Sequence, residues 1–131
     1  MRAALRRYQR SAPWARTLYR PTVQITLREI TEDNQEPVLA LRTTPAQRRF
    51  VSTVAYSFRE AERHPNENPW LRAIYAGEQP VGFVMVAWDF MPEPPHTDGP
   101  FFLWKVLIDH EHQGKGYGRQ AVEQVIAAIR A

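Results

Sequence analysis

The chain has 131 residues, which is enough for one compact domain and too few for two of ordinary size. Hydrophobic residues make up 44% of it, and no stretch approaches the roughly 20 apolar residues that a membrane span requires. General disorder and a membrane-spanning chain are therefore both excluded. The absence of cysteine excludes disulfides, thiolate nucleophiles and cysteine-ligated metals, and it fits a reducing, cytoplasmic location.

The net charge of +3 is unevenly distributed along the chain. Residues 1–20 contain six arginines and no acid, which leaves 11 basic against 14 acidic residues in the remainder. Residues 1–21 are predicted to be a disordered basic extension, with a functional basic arm as the alternative, and residues 22–131 to form the folded domain. Because phosphate binding requires cations clustered on a folded surface, we expect no nucleic-acid partner.

The first part of the domain predicts a strand, two helices and a hairpin. Alternating apolar residues over 22–27 are typical of a strand with one buried face. A short helix ending near Leu41 follows, and a longer helix is predicted over 44–64, with a proline in its first turn. Two apolar segments, 70–76 and 81–91, are separated by a glycine-containing turn and predict an antiparallel hairpin.

The second part predicts one more strand and a final helix. Four prolines within residues 91–100 indicate a loop, because proline interrupts a sheet ladder. Residues 101–108 are almost wholly apolar, which predicts a central strand covered on both faces. From about Tyr117 the apolar residues recur at helical spacing to the end of the chain.

A polar bend and three glycines connect this last strand to the last helix. Gly114, Gly116 and Gly118 allow a ligand to approach the backbone closely, and the first amides of a helix carry partial positive charge. Lys115 and Arg119 add two formal charges, although solvated cations near a helix start are the alternative. The segment therefore predicts a site for a phosphate or pyrophosphate.

Spacing distinguishes three phosphate-binding motifs. A Walker loop requires serine or threonine at the position of Gly116, and the dinucleotide fingerprint requires glycine at the position of Arg119. The remaining pattern, Gln113-x-x-Gly116-x-Gly118, resembles the Gln/Arg-x-x-Gly-x-Gly/Ala signature of the GNAT superfamily of acetyl-coenzyme A dependent N-acetyltransferases. The order of elements over roughly residues 22–131 also resembles that superfamily, and segments 47–51, 73–76, 80–85 and 104–109 are most similar to bacterial spermine/spermidine acetyltransferases.

This resemblance implies a fold, a co-substrate and a substrate class. The fold is α/β (α+β), with a mixed, mainly antiparallel sheet flanked by helices. The co-substrate is acetyl-coenzyme A, with no metal, and the acceptor is a small amine, with spermine or spermidine favoured. The implied cofactor-binding residues are the strand end Val106, Leu107 and Ile108 and the loop Gln113, Gly114, Lys115, Gly116, Tyr117, Gly118 and Arg119.

The acceptor side is less well defined by the sequence, and no residue is assigned as catalytic acid or base. Glu29, Glu32 and Glu36 are candidate substrate-binding carboxylates, although acids at a helix start also stabilise the helix dipole. Asp109 and Glu111 flank the polar bend and are candidate bases, with turn residues as the alternative.

Two histidines in the same bend suggest a metal only until their spacing is checked. A His-Glu-x-x-His motif beginning at His110 would need histidine at position 114, where a glycine stands. We therefore expect both histidines to be loop residues.

The superfamily pattern continues beyond the loop helix with further strands and a helix, and its usual tyrosine proton donor lies there. Ala131 follows directly on the predicted loop helix, so the resemblance implies that the C-terminal part of the fold is absent and that strand 101–108 has an open edge. The alternative function is therefore an incomplete or non-catalytic coenzyme A-binding module that needs a partner chain, such as a second copy in a homodimer.

Overall fold

The computed structural model describes residues 23–91 and 99–131, so the predicted basic extension and most of the proline-rich loop lie outside the described residues. Within these ranges one sheet is flanked by helices on both faces. Its strands are β1 (Ile25–Arg28), β2 (Pro69–Ala76), β3 (Gln79–Ala87) and β4 (Phe102–Ile108). The helices are α1 (Gln35–Leu39), α2 (Val54–Arg63) and α3 (Tyr117–Arg130), with short 3₁₀ turns at Gln47–Arg49, Pro65–Glu67 and His110–His112.

The four strands lie in the order β1-β2-β3-β4 and every neighbouring pair is antiparallel. Ala73 on β2 lies opposite Phe83 on β3, which in turn lies opposite Leu107 on β4. An antiparallel sheet with flanking helices confirms the predicted α/β (α+β) class. No helix within the described ranges is both long and apolar enough to cross a membrane.

Each face of the sheet carries its own apolar cluster. One cluster joins the sheet to α3 through Tyr117, Ala121 and Val125. The other joins the opposite face to α1 and α2 through Val38 and Val54. Side chains along a strand alternate between faces, so β3 contributes its apolar residues to both clusters and forms the centre of the domain.

The single long helix predicted over 44–64 is wrong. The chain forms the 3₁₀ turn Gln47–Arg49, bends, and begins α2 only at Val54. Thr53 has extended backbone angles, and its Oγ1 accepts a hydrogen bond from the Tyr56 amide at 3.2 Å, which is a typical N-cap. Apolar residues at helical spacing on both sides of this cap conceal the interruption.

The prediction for residues 101–108 is wrong in one respect, because the strand is not central and has the open edge that the family resemblance implied. Its two faces are covered as predicted over its second half, with Val106 and Ile108 in one cluster and Trp104 and Leu107 in the other. β4 lies at the edge of the described sheet, and Phe102 and Leu103 are each 44% exposed. The register shifts between Met85 and Val86, which places a bulge at Trp104. An apolar run indicates that side chains are buried, but it does not show whether both backbone edges are paired.

Candidate functional site

A groove of about 320 Å³ runs along the open edge of β4, and its volume is at the lower end of the range for small-molecule sites. The segment that precedes α2 lines it on one side, and the glycine loop with the start of α3 lines it on the other. The lining residues are Thr43, Gln47, Phe50, Val51, Val106, Ile108, His112, Gln113, Gly114, Gly116, Tyr117 and Gly118.

The backbone of β4 presents alternate residues to this groove. The Asp109 amide donates to the Val81 carbonyl on β3 at 2.8 Å, and the Leu107 carbonyl also lies against β3, beside Gly82. The Ile108 carbonyl instead accepts a hydrogen bond from the Gln113 side chain on the opposite side. Because backbone groups alternate in direction along a strand, those of Val106 and Ile108 face the open edge.

Leu107 is placed differently from its two neighbours. Its side chain is buried in the cluster that packs against α1 and α2, and its carbonyl is directed to β3. Of the three strand residues suggested by the family resemblance, only Val106 and Ile108 line the groove.

Two glycines of the loop have backbone angles that favour glycine. Gly114 and Gly116 have φ of 78° and 79°, in the left-handed region, and Gly116 is the N-cap of α3. A Cβ atom at either position would meet nothing within 4 Å, so the conformation rather than crowding requires glycine there. The first amides of α3 begin directly after Gly116, beside the groove, and have no intrahelical acceptor.

The glutamine of the motif ties the two sides of the groove together. Gln113 Nε2 donates to Gln47 Oε1 at 2.7 Å and to the Ile108 carbonyl at 3.0 Å. Gln47 is fixed in turn because its amide donates to Thr44 Oγ1 at 3.3 Å. The loop, the strand end and the 3₁₀ turn therefore form one hydrogen-bonded frame.

The two predicted cations are not among the residues that line the groove. Arg119 forms an exposed ion pair with Glu123, with 3.2 Å between Nε and Oε1. Lys115 Nζ lies 5.9 Å from the centre of the Tyr117 ring. The lining of the groove thus includes the loop glycines and the start of α3, but neither of these two cations.

The polar bend that follows β4 is built around Asp109. This buried carboxylate accepts hydrogen bonds from the Arg42 amide at 2.9 Å and from the Glu111 amide at 3.3 Å. Asp109 is therefore the N-cap of the 3₁₀ turn and connects it to the residues after α1. One carboxylate oxygen of Asp109, one of Glu111 and a ring nitrogen of His112 lie within 4.8 Å of one another, a spacing that could hold a cation.

None of the three predicted substrate-binding glutamates lines the groove. Glu29 lines a separate cavity of about 350 Å³, with its Oε1 3.9 Å from Arg72 Nη2. Glu32 and Glu36 are exposed around the start of α1. The structure thus does not bring these carboxylates to the groove.

Arg28 and Glu78, whose pKa values are clearly shifted, lie away from the groove. Arg28 at the end of β1 forms two hydrogen bonds with Glu78 in the β2–β3 turn, at 3.1 and 3.2 Å. The hydrogen bonds from Arg28 lower the pKa of Glu78 below its ordinary value, and those with Glu78 raise the pKa of Arg28. Both side chains are on the surface, so this pair joins two connecting segments rather than forming a reactive site.

Sequence reasoning missed five residues of the groove. They are Thr43, Gln47, Phe50, Val51 and His112. A signal existed for three of them, because the segment 47–51 was one of those that resemble polyamine acetyltransferases. The apolar spacing of that segment nevertheless favours a continuous helix, because the break before α2 leaves that spacing unchanged.

Comparison with known proteins identifies the family. Residues 26–131 match the Acetyltransferase (GNAT) family, so the chain belongs to the GNAT acetyltransferase family. Members of this family use acetyl-coenzyme A as co-substrate. The described sheet and its helices have the corresponding fold.

Individual relatives are distant. A spermine/spermidine N(1)-acetyltransferase of Bacillus subtilis (strain 168) is 26% identical over 106 residues, which cover 79% of this chain and 67% of that protein. A probable spermine N(1)-acetyltransferase of Bacillus subtilis subsp. natto (strain BEST195) matches equally. A crystal structure of an acetyltransferase from Thermus thermophilus superimposes with a TM-score of 0.55 at 22% identity and covers 81% of this chain and 70% of its own.

A transcriptional regulator from Bacillus halodurans C-125 superimposes with a TM-score of 0.51 at 24% identity and covers 82% of this chain and 75% of its own. At such low identity, both structural likenesses establish the fold and nothing more specific.

Proposed function

We propose that the groove binds acetyl-coenzyme A and that the protein transfers its acetyl group to a small amine. The observation that carries the proposal is the position of the glycine loop at the end of an open strand edge. In this arrangement the amides from Gln113 to Arg119 cradle the pyrophosphate. The pantetheine arm lies along β4 and pairs with the edge-facing backbone groups of Val106 and Ile108.

The proposed reaction needs no covalent enzyme intermediate. A neutral amine attacks the thioester carbonyl, the new C–N bond forms, and the C–S bond breaks with release of coenzyme A thiolate. The amine's surplus proton leaves to a base, and the thiolate takes up a proton. An edge-facing N–H of β4 stabilises the oxyanion that develops on the carbonyl.

A polyamine is the acceptor that we favour. Two relatives are named as spermine or spermidine acetyltransferases, and the chain after residue 20 has more acidic than basic residues. An acidic domain attracts a polycation over distance. Glu29, Glu32 and Glu36 contribute to that attraction in this proposal, without contacting the reacting nitrogen.

The test is release of coenzyme A thiol from acetyl-coenzyme A in the presence of spermidine. The chain has no cysteine, so every thiol detected comes from the coenzyme and protein background is zero. Spermidine-dependent release that saturates with both substrates is the expected result. Calorimetry that detects no binding of acetyl-coenzyme A to the folded protein would refute the proposal.

Coenzyme binding without efficient turnover is the second candidate function. Among the described residues that line the groove, only His112 and Tyr117 carry side chains that readily transfer a proton, and Tyr117 is buried. Tight binding of acetyl-coenzyme A with no amine-dependent thiol release would favour this module. Restoration of release when a second copy or a partner chain completes the site would identify the missing component.

A further inference from the structure

One aromatic side chain in the groove is exposed in a way that its surroundings do not explain. Phe50 is 87% exposed, yet it is one of the residues that line the groove, together with Val51, Val106 and Ile108. A single exposed apolar side chain on an open surface is ordinary, but an exposed ring that continues an apolar groove lining marks a contact surface. The neighbouring Val51 packs against the core.

The backbone holds Phe50 in this position. The amides of Phe50 and Val51 both donate to the Gln47 carbonyl at 2.9 Å, which closes the 3₁₀ turn. Gln47 is fixed to Gln113 by the hydrogen bond across the groove. These hydrogen bonds fix the backbone of Phe50, and therefore the point from which its ring extends, beside the groove before any ligand binds.

We propose that the Phe50 ring covers the pantetheine arm of the coenzyme. This inference rests on the proposed function and adds a side-chain contact to it. The phosphates belong with the helix-start amides, so the uncharged arm is the part of the coenzyme that lies between the loop and the reacting end. Its amides pair with the edge of β4, and its geminal methyl groups then pack against the ring across the groove.

The experiment compares two ligands by calorimetry: coenzyme A and its adenosine bisphosphate fragment, which lacks the pantetheine arm. Phe50→Ala should raise the Kd of coenzyme A about tenfold and leave the Kd of the fragment unchanged. Phe50→Leu should give a smaller increase, because it retains part of the apolar contact. Met91→Ala is the matched control, since Met91 is 86% exposed and is not among the residues that line the groove.

Each outcome separates this inference from the proposed function. An equal loss for both ligands would place the ring at the nucleotide end or assign it a structural role, and would overturn the inference. An unchanged Kd for coenzyme A in Phe50→Ala would also overturn it. If the unmodified protein fails to bind coenzyme A, the proposed function itself fails. Circular dichroism of each variant verifies the fold.

Discussion

The two glycines on either side of Tyr117 should respond in opposite ways to an added methyl group. Gly116 has φ of 79°, where an L-residue is less stable by about 1–2 kcal/mol. A Cβ atom there would meet nothing within 4 Å, so the whole cost is backbone strain. At Gly118 a Cβ atom would be in ordinary contact with Ile108 Cγ1 at 3.5 Å, and the backbone is helical.

We therefore expect Gly116→Ala to lose about 1–2 kcal/mol in the free energy of unfolding, measured by urea titration. If the loop relaxes instead and avoids the strain, the helix-start amides shift and the Kd of coenzyme A should rise about tenfold. Gly118→Ala should leave the Kd of coenzyme A unchanged and raise the free energy of unfolding by up to about 1 kcal/mol through helix propensity. The family signature accepts glycine or alanine at this position, which agrees with that expectation.

Measuring stability and coenzyme affinity on the same samples detects either way of relieving the strain. Gly116→Asn should lie between the unmodified protein and Gly116→Ala, because asparagine tolerates the left-handed region better. Unchanged stability and unchanged affinity in Gly116→Ala would refute the reasoning. Equal losses at both glycines would show that added volume matters rather than backbone conformation.

Three further predictions concern stability. Gly82→Ala should lower the free energy of unfolding, measured with urea, by about 1–3 kcal/mol, because the added Cβ would collide with the Leu107 carbonyl on β4. An unchanged free energy of unfolding would show that β3 and β4 move apart at no cost. The side chains of Lys105 and Glu60 form a half-buried ion pair at 2.8 Å. Lys105→Met alone leaves the Glu60 carboxylate unpaired, so it should lower the Tm more than the double variant Lys105→Met, Glu60→Met. Equal or reversed losses of Tm would contradict the pairing. Arg28 lowers the pKa of Glu78, so ionised Glu78 stabilises the folded state. In thermal unfolding, Glu78→Gln should therefore be slightly less stable than the unmodified protein at neutral pH and equally stable well below pH 4.5. A difference in stability that grows in acid would contradict this sign.

Most of the sheet and the last helix could be predicted from periodicity. The alternating residues of β1 and the apolar stripe of α3 each reflect one buried face, and the structure has both elements close to their predicted bounds. The interruption before α2 could not be predicted in this way. It depends on the Thr53 side chain capping a new helix, a local competition that leaves the spacing of apolar residues unchanged.

The glycine loop could be predicted from local sequence, whereas the opposite side of the groove could not. Left-handed φ values restrict the residue type at Gly114 and Gly116, so the conformation is recorded in the sequence. Phe50 follows a 3₁₀ turn that a hydrogen bond connects to the glycine loop, between Gln47 and Gln113, which are 66 residues apart. Such long-range pairing has no local pattern, and only the structure brings the two segments together.

At each edge of the described sheet, one outward-facing carbonyl accepts a side-chain hydrogen bond: Ile25 on β1 from Gln124, and Ile108 on β4 from Gln113. The β4 edge is distinguished by its surroundings, because the groove beside it extends past Ile108 along Val106 and is also lined by the glycine loop. An unprotected strand edge is a template for pairing. In the proposed complex, the pantetheine arm pairs its two amide groups with the edge-facing groups of that strand, and the glycine loop at one end binds the phosphates.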